Sequence, residues 1–289
     1  MVKLSIITIN YNNAAGLKKT LDSVATQRCT DFEHIIVDGA STDKSVEIIC
    51  EYENTLASSL SPLAYRLTWL SEPDAGIYNA MNKGVRLAKG EYTLMLNSGD
   101  YLVDENVISK VLPLLDGTDI IQGNTIEEVG DKQYRNRGYG KSNLSFFDVM
   151  DGHFLHQASF IRLTTMNEYG YYDESYKKGS DTYFYTSALA LGNASFRYID
   201  IDVANFDING ISSMQDSKWV QIDKEEDARW YGEHISTRLM NVYRTAPKKI
   251  RIYDTLHRHK WIWYVTMLLV RISEWITPIP PKVKLEKIK

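Results

Sequence analysis

The first hundred residues alternate between short, mostly apolar runs and stretches in which apolar side chains recur every three or four positions. The helical spacing is clearest at Ile77, Met81 and Val85, and the apolar runs are typical of strands buried on both faces. Alternating strands and helices indicate right-handed crossovers, and they predict an α/β fold with a Rossmann-like, mainly parallel sheet flanked by helices. The predicted strands are residues 4–9, 32–37, 65–70 and 92–96.

The second half of the chain mixes the two patterns. Residues 131–143 are polar and carry Arg135 and Arg137, and a plain surface loop is the favoured interpretation over a mobile flap. Beyond Trp219 the chain is charged and helical, which predicts a C-terminal helical extension over residues 216–289. The other segments are strands at residues 119–126, 158–162 and 196–203, and helices at residues 164–169 and 182–191.

Three acidic residues follow predicted strands: Asp38, Asp74 and Asp100. Each alone is most simply a turn or cap residue. At the carboxyl ends of parallel strands, however, they share the edge of the sheet where ligands bind in open α/β folds. Asp38 can accept hydrogen bonds from a nucleobase or a ribose. Asp100 can coordinate a Mg²⁺ or Mn²⁺ ion that bridges a diphosphate, because hard cations prefer oxygen ligands.

The sequence argues against several other kinds of ligand and metal site. No Gly-x-Gly-x-x-Gly segment follows the first strand and no P-loop motif occurs, which argues against dinucleotide binding and P-loop hydrolysis. Cys29 and Cys50 form no disulfide framework, and no histidine has zinc-binding spacing with a cysteine. No secretory signal precedes the first strand, so we expect a cytoplasmic protein.

Five segments occur in an order that is similar to family 2 glycosyltransferases of the GT-A fold. They read SIITINYNN, IIVDGASTDKS, SEPDAGIYNAMNKGVRLAKGEYTLMLNSGD, HQASF and YDESYKKGSDTYFYTSALALG. The resemblance covers residues 4 to about 213 and predicts a catalytic domain over residues 1–215. It implies transfer of a sugar from a nucleotide-diphosphate donor to an acceptor hydroxyl, with inversion of the anomeric carbon.

The resemblance also implies which residues bind the nucleotide sugar. Asn10 and Tyr11 match positions at the nucleobase, where the Tyr11 ring can pack against the base. Asp38 matches the acid that contacts the base. Asp74, with Gly76, begins the segment that closes over the nucleoside.

The reacting centre follows from the same resemblance. Asp100 matches the last acid of the family's D-x-D metal motif, and Asp181 matches the catalytic base. His156 and Gln157 match a pair near the diphosphate and the acceptor mouth. Ser98 replaces the first acid of the motif, so Asp100, diphosphate oxygens and water would have to hold the cation. Without the resemblance, Asp181 is most simply a helix cap and His156 a buried core histidine.

The charge of the chain is unevenly distributed. Residues 1–243 carry 22 Lys or Arg against 34 Asp or Glu, a net charge of −12, whereas residues 244–289 carry 11 against 3, a net charge of +8. The basic end contains WIWYVTMLLVRISEWI at residues 261–276, whose apolar run is shorter than the roughly 20 residues that span a bilayer. Its tryptophans favour a helix on the inner membrane surface over one packed on the catalytic domain or on a second subunit. No nucleic-acid partner is expected, because this segment is too apolar.

These features predict an inverting glycosyltransferase that uses Mn²⁺ or Mg²⁺ and a nucleotide-diphosphate sugar, with a UDP-sugar favoured. The expected acceptor is a saccharide or lipid-linked saccharide in exopolysaccharide, capsule or lipopolysaccharide assembly, and the expected transferred group is a hexose or an N-acetylhexosamine. The enzyme is expected in the cytoplasm, peripheral to the inner membrane. One alternative, which Ser98 motivates, is a non-catalytic binding or assembly subunit with the same fold. A nucleotidyltransferase fits less well, because NYNNAAGLKK is a poor match for a Gly-rich, basic phosphate loop.

Overall fold

The computed structural model describes residues 2–58, 65–129, 132–207, 216–237, 239–240 and 243 of the chain. Over these residues the chain forms a nine-stranded mixed sheet with helices on both faces. The strands are β1 (Leu4–Asn10), β2 (Phe32–Asp38), β3 (Arg66–Ser71), β4 (Tyr92–Met95), β5 (Tyr101–Leu102), β6 (Ile120–Val129), β7 (Lys132–Asn136), β8 (Ser159–Arg162) and β9 (Phe196–Phe206). Their order across the sheet is β3-β2-β1-β4-β8-β6-β9-β5, with β7 paired to β6.

Eight α-helices have both ends within the described residues. They are α1 (Ala14–Ala25), α2 (Ser45–Ser58), α3 (Ile77–Leu87), α4 (Val107–Val111), α5 (Phe146–Met150), α6 (Leu163–Tyr169), α7 (Ser180–Thr186) and α8 (Ser217–His234). Short 3₁₀ helices occur at Leu112–Leu114 and His156–Ala158. The helix predicted over residues 182–191 is α7 followed by a π-helical turn, Ser187–Leu191.

The first four strands form the parallel half of the sheet. β1 pairs in parallel with β2 and β4, and β3 pairs in parallel with β2. Every residue of β1 and β2 is buried, as expected for strands covered on both faces. Leu17, Leu21 and Val24 of α1 pack in the core on one face, and Met81 and Val85 of α3 pack in the core on the other. The predicted alternation is confirmed, and it brings the carboxyl ends of β1, β2 and β4 to one edge.

The second half of the sheet is mixed. β8 is antiparallel to both β4 and β6, whereas β9 is parallel to β6. The prediction of a loop over residues 131–143 was wrong for Lys132–Asn136, which form β7 against β6. Four of the five β7 residues are exposed, so this strand has no apolar alternation for the sequence to reveal.

The chain divides into two compact units, residues 1–230 and 231–289. The first contains the whole sheet and α8 as far as Trp230. In the second, the structure describes residues 231–237, 239–240 and 243, so the aromatic segment at residues 261–276 lies outside the described residues. The division into domains 1–215 and 216–289 stays a prediction. None of the helices in the described part combines the length and the apolar character needed to cross a bilayer.

Candidate active site

A cleft of about 960 Å³ opens at the edge of the sheet where β1 and β4 end. The loops after these strands border it, as do the first turns of α3 and α7. Nine residues were assigned to the site from the sequence, and all except Asp38 line this cleft. The eight that do are Asn10, Tyr11, Asp74, Gly76, Asp100, His156, Gln157 and Asp181.

Asp38, at the end of β2, is fully buried. Its carboxylate accepts hydrogen bonds from the Asn10 side-chain nitrogen at 2.8 Å and from Ser71 Oγ at 2.7 Å. It also accepts the backbone N–H and the hydroxyl of Ser41, at 2.9 and 2.6 Å. Burial raises the pKa of Asp38, but these hydrogen bonds outweigh it and hold the pKa below its usual value. Asp38 therefore orients Asn10, whose Oδ1 oxygen has no hydrogen-bond partner among the described residues.

The rim of the cleft is shaped by an aromatic ring, an acid and two glycines. Tyr11 is 67% exposed, and a ring in such a position can stack on a planar base. Gly39 was not selected from the sequence, yet a Cβ atom there would collide with the Asp74 carboxylate and lie 3.2 Å from the Tyr11 ring. Asp74 accepts the backbone N–H of Gly76 at 2.9 Å, and Gly76 has a φ of 129°, a conformation that favours glycine. Glycine at position 39 thus lets Tyr11 and Asp74 approach the same point.

Asp181 lies in the first turn of α7 between two hydrogen-bonding side chains. The Tyr78 hydroxyl donates to Oδ1 at 3.1 Å, and His156 Nδ1 lies 3.1 Å from Oδ2. The N-cap of α7 is Gly179, so the alternative of Asp181 as a helix cap is wrong. Burial raises the pKa of Asp181, but the hydrogen bond and charge of His156, with the hydrogen bond from Tyr78, outweigh it and keep the pKa below its usual value. The carboxylate is therefore ionised at neutral pH, as a general base must be.

His156 connects Asp181 with the end of β4. Its Nε2 atom lies 3.4 Å from the side-chain nitrogen of Asn97. Burial lowers the pKa of His156, but the hydrogen bond and charge of Asp181 and the charge of Asp100 outweigh it, so the pKa lies above its usual value. Because its partners line the cleft and 15% of its side chain is exposed, His156 is not the buried core histidine that its apolar neighbours in sequence suggest.

Asp100 is a buried acid of the cleft, with 4% of its surface exposed. Its Oδ1 oxygen accepts the backbone N–H of Asp207 at 2.9 Å. Burial raises the pKa of Asp100 to about 7, although the charge of His156 and the Asp207 hydrogen bond oppose this, and the charge of Asp207 adds to it. A bound cation would favour the ionised form of such a carboxylate.

The charges around the cleft suit an oxygen-coordinated cation. A nucleotide diphosphate would add negative charge to a cleft that is already acidic, and Mn²⁺ or Mg²⁺ takes oxygen ligands. Within the described residues, no three His, Cys, Asp or Glu side chains are grouped to hold a metal by themselves, so diphosphate oxygens and water would complete the ligand set. The acids that line the cleft are Asp74, Asp100, Glu127, Asp181, Asp207 and Asp223, and its lysines are Lys177 and Lys178.

Besides Gly39, three residues with contacts in this cleft were not selected from the sequence: Tyr78, Asn97 and Asp207. Tyr78 is indistinguishable from an ordinary apolar position of α3, and Asn97 from a turn residue. Asp207 could have been found from the sequence, because it is an acid that follows a strand, as Asp38 and Asp100 do. The strand was predicted to end at residue 203, which left three residues between it and Asp207, whereas β9 continues to Phe206.

This architecture is shared with solved glycosyltransferases of the GT-A fold. S. aureus TarS 1–349, solved in complex with UDP-GlcNAc, matches with a TM-score of 0.58 and 20% identity over 75% of this chain and 60% of the TarS chain. The mannosyltransferase PcManGT from Pyrobaculum calidifontis, in complex with GDP-Man and Mn²⁺, matches with a TM-score of 0.57 and 16% identity over 81% of this chain and 64% of its own. The fold is therefore GT-A, as predicted.

Sequence comparison narrows this class to one family. Residues 5–195 match the profile described as "Glycosyl transferase family 2". A PGL/p-HBAD biosynthesis glycosyltransferase of Mycobacterium tuberculosis is 31% identical over 213 residues, 72% of this chain and 78% of the relative. An uncharacterized glycosyltransferase of the same organism is 30% identical over 218 residues, 73% of this chain and 77% of the relative. The chain belongs to glycosyltransferase family 2, which confirms the resemblance drawn from its motifs.

Proposed function

We propose that this glycosyltransferase moves a sugar from a nucleotide-diphosphate donor to an acceptor hydroxyl by a single displacement that inverts the anomeric carbon. The observation that carries the proposal is that Asp181 and Asp100 line one cleft. One is an ionised carboxylate, and the other is a buried acid at the end of a parallel strand, where α/β folds bind phosphorylated ligands.

In the proposed reaction Asp181 is the general base. Its carboxylate takes the proton of the acceptor hydroxyl as the acceptor oxygen bonds to the anomeric carbon. The bond from that carbon to the diphosphate oxygen breaks on the opposite side, and the nucleoside diphosphate leaves with the electron pair. Tyr78 and His156 hold the carboxylate in one orientation through contacts of 3.1 Å each. The displacement needs no nucleophile from the protein.

We propose Asp100 as a ligand of a divalent cation, Mn²⁺ or Mg²⁺. When bound, this cation would stabilise the negative charge that develops on the leaving diphosphate. The excess of acids over lysines around the cleft supports the proposal, as does the Mn²⁺ ion in the PcManGT complex.

We propose Asn10 and Tyr11 as the contacts to the nucleobase. The Tyr11 ring is exposed for stacking, and Asn10 lines the cleft at the end of β1. Uracil and guanine both carry a ring N–H, the group that a side-chain amide oxygen accepts. TarS was solved with UDP-GlcNAc and PcManGT with GDP-Man, so proteins of this fold bind nucleotide sugars of both bases. We favour a UDP-sugar that carries a hexose or an N-acetylhexosamine.

We further propose that the acceptor is a saccharide or a lipid-linked saccharide used in bacterial surface polysaccharide. The Mycobacterium tuberculosis relative is named for PGL/p-HBAD biosynthesis. The net charge of +8 over residues 244–289 and the tryptophans of residues 261–276 suit contact with the anionic inner leaflet, where a lipid-linked acceptor would be reached.

The test is a donor panel. Purified protein is incubated with Mn²⁺, UDP- or GDP-sugars and saccharide or polyprenyl-linked acceptors, and release of the nucleoside diphosphate is measured. We expect acceptor-dependent release from one donor and a product of opposite anomeric configuration by NMR. Nucleotide binding without turnover of any donor would instead favour the non-catalytic subunit. Absence of a thermal shift with every nucleotide diphosphate would contradict the assignment of the cleft itself.

A further inference from the structure

The turn that carries Asp100 lies against the end of β9. β5 pairs antiparallel with β9, with Tyr101 opposite Asn205, and continuing this register sets Gly99 opposite Asp207. A hydrogen bond is consistent with this register, because the Asp207 backbone N–H donates to Asp100 Oδ1 at 2.9 Å. Two acids that are 107 positions apart in the sequence are thus adjacent in the cleft.

The Asp207 side chain occupies the space above Gly99. A Cβ atom built on Gly99 would lie 2.7 Å from Asp207 Oδ2, and Gly99 has a φ of 109°. Glycine at this position therefore admits a carboxylate beside the Ser98-Gly99-Asp100 turn. The sequence has a serine where the family's metal motif has its first acid, and the structure has a second carboxylate next to that motif.

The surroundings of Asp100 suit a cation ligand. Asp100 is 4% exposed, and its Oδ1 oxygen accepts a hydrogen bond from the neutral backbone N–H of Asp207. Two carboxylates that lie side by side attract a divalent cation. Hard divalent cations bind carboxylate oxygens and fill their remaining positions with phosphate oxygens or water.

We propose that Asp207 supplies the second carboxylate ligand of the divalent cation held at Asp100, in place of the acid that Ser98 does not provide. The inference rests on the proposed function, in which the cation joins the protein to the donor diphosphate. It assigns a binding role to the residue that follows β9, which lies outside the metal motif at residues 98–100.

The experiment measures Mn²⁺ affinity directly, by electron paramagnetic resonance of free Mn²⁺ with the protein saturated with UDP. We expect Asp207→Asn to weaken Mn²⁺ binding by roughly tenfold or more, because one of two charged ligands is lost. Affinity for UDP without metal should not fall, because the substitution removes a negative charge from the cleft and no donor to the nucleotide. Asp31→Asn removes the same charge from an exposed residue before β2, at the opposite end of that strand from Asp38, and should bind Mn²⁺ like the parent.

A second variant tests whether the two positions are interchangeable. Ser98→Asp in the Asp207→Asn background restores a second carboxylate at the turn, and we expect it to recover most of the lost Mn²⁺ affinity. Thermal melting without metal reports whether each variant folds. If Asp207→Asn does not fold, Asp207→Ser takes its place, since the backbone N–H that bonds Asp100 is kept in both.

The outcomes separate this inference from the proposed function. Unchanged Mn²⁺ affinity in the Asp207 variant would overturn the inference, and so would a parent protein that binds UDP but no Mn²⁺. Either result leaves nucleotide binding by the cleft intact. Failure of the parent to bind any nucleoside diphosphate would instead overturn the proposed function.

Discussion

At the scale of single residues, the pKa values of Asp181 and Asp100 are shifted in opposite directions. Asp181 receives hydrogen bonds from Tyr78 and His156, which outweigh burial and keep its pKa below the usual value. Asp100 receives a backbone N–H at one oxygen, and burial raises its pKa to about 7. These environments suit a base that is ionised in the free enzyme and a metal ligand whose ionised form gains most from a bound cation.

Replacing His156 by glutamine should move the acidic limb of the pH profile of kcat/KM to higher pH. The substitution removes the hydrogen bond and charge that favour ionised Asp181, while the burial that raises its pKa remains. Initial rates measured from acidic to neutral pH test this, with His153→Gln, at an exposed histidine, as the control. An acidic limb at the parent position would show that His156 does not set the protonation of Asp181.

Replacing Asp38 by alanine should lower the free energy of unfolding by about 3 kcal/mol, because donors from Asn10, Ser41 and Ser71 lose a charged acceptor. The pKa of Asp38 is depressed in the fold, so this contribution is full above its unfolded pKa of about 3.9 and is lost as the pH falls through the folded value.

Urea unfolding of parent and Asp38→Ala at neutral and strongly acidic pH measures this effect. The gap between the two proteins should shrink at the acidic pH. A gap that is equally large at both would mean that the Asp38 charge does not contribute to it.

At the scale of elements, the packing of α3 on β1 determines where Tyr78 meets Asp181. Gly84, on the buried face of α3, lies so close to the sheet that a Cβ atom would collide with Ile7 and lie 3.6 Å from Val37 Cγ2. A side chain at this position would push the helix away from the sheet and move the hydroxyl that orients the base.

Gly84→Ala should therefore lower the free energy of unfolding by about 1–3 kcal/mol through overpacking. It should also reduce kcat more than donor affinity. Gly232→Ala is the matched control, because no described atom lies within 4 Å of the Cβ it would add to α8. A Gly84 variant with parental stability would contradict the close packing of α3.

The sequence predicted those elements whose burial leaves a periodic pattern. β1, β2 and the helices after them were found because both faces of the strands and one face of each helix are apolar. β7 was missed because most of it is exposed, and Asp207 because β9 continues beyond its alternating part. Spatial pairs such as Tyr78 with Asp181, 103 positions apart, leave no local pattern to read.

At the scale of the whole molecule, charge separates an acidic body from a basic end. Residues 1–243 carry a net charge of −12 and residues 244–289 one of +8. An anionic membrane surface attracts basic segments by about 1 kcal/mol for each Lys or Arg close to it, and salt screens this attraction.

Sedimentation with vesicles tests the membrane proposal. We expect the full chain to pellet with phosphatidylglycerol vesicles, much less with phosphatidylcholine vesicles, and less again as salt is raised. The double variant Arg258→Glu, Lys260→Glu reverses two charges beside the aromatic segment. We expect much less of it than of the parent to pellet with the phosphatidylglycerol vesicles. A full chain that stays in the supernatant with anionic vesicles at low salt would contradict the proposal.

The most direct measurement of the central claim is the separation of donor binding from transfer in Asp181→Asn. Calorimetry gives the donor affinity and product formation gives the rate, each beside the parent. The account predicts donor affinity equal to that of the parent and a rate lower by about 10²–10⁴-fold, because the amide cannot take the proton of the acceptor hydroxyl. An Asp181→Asn protein that transfers sugar at the parental rate would contradict it.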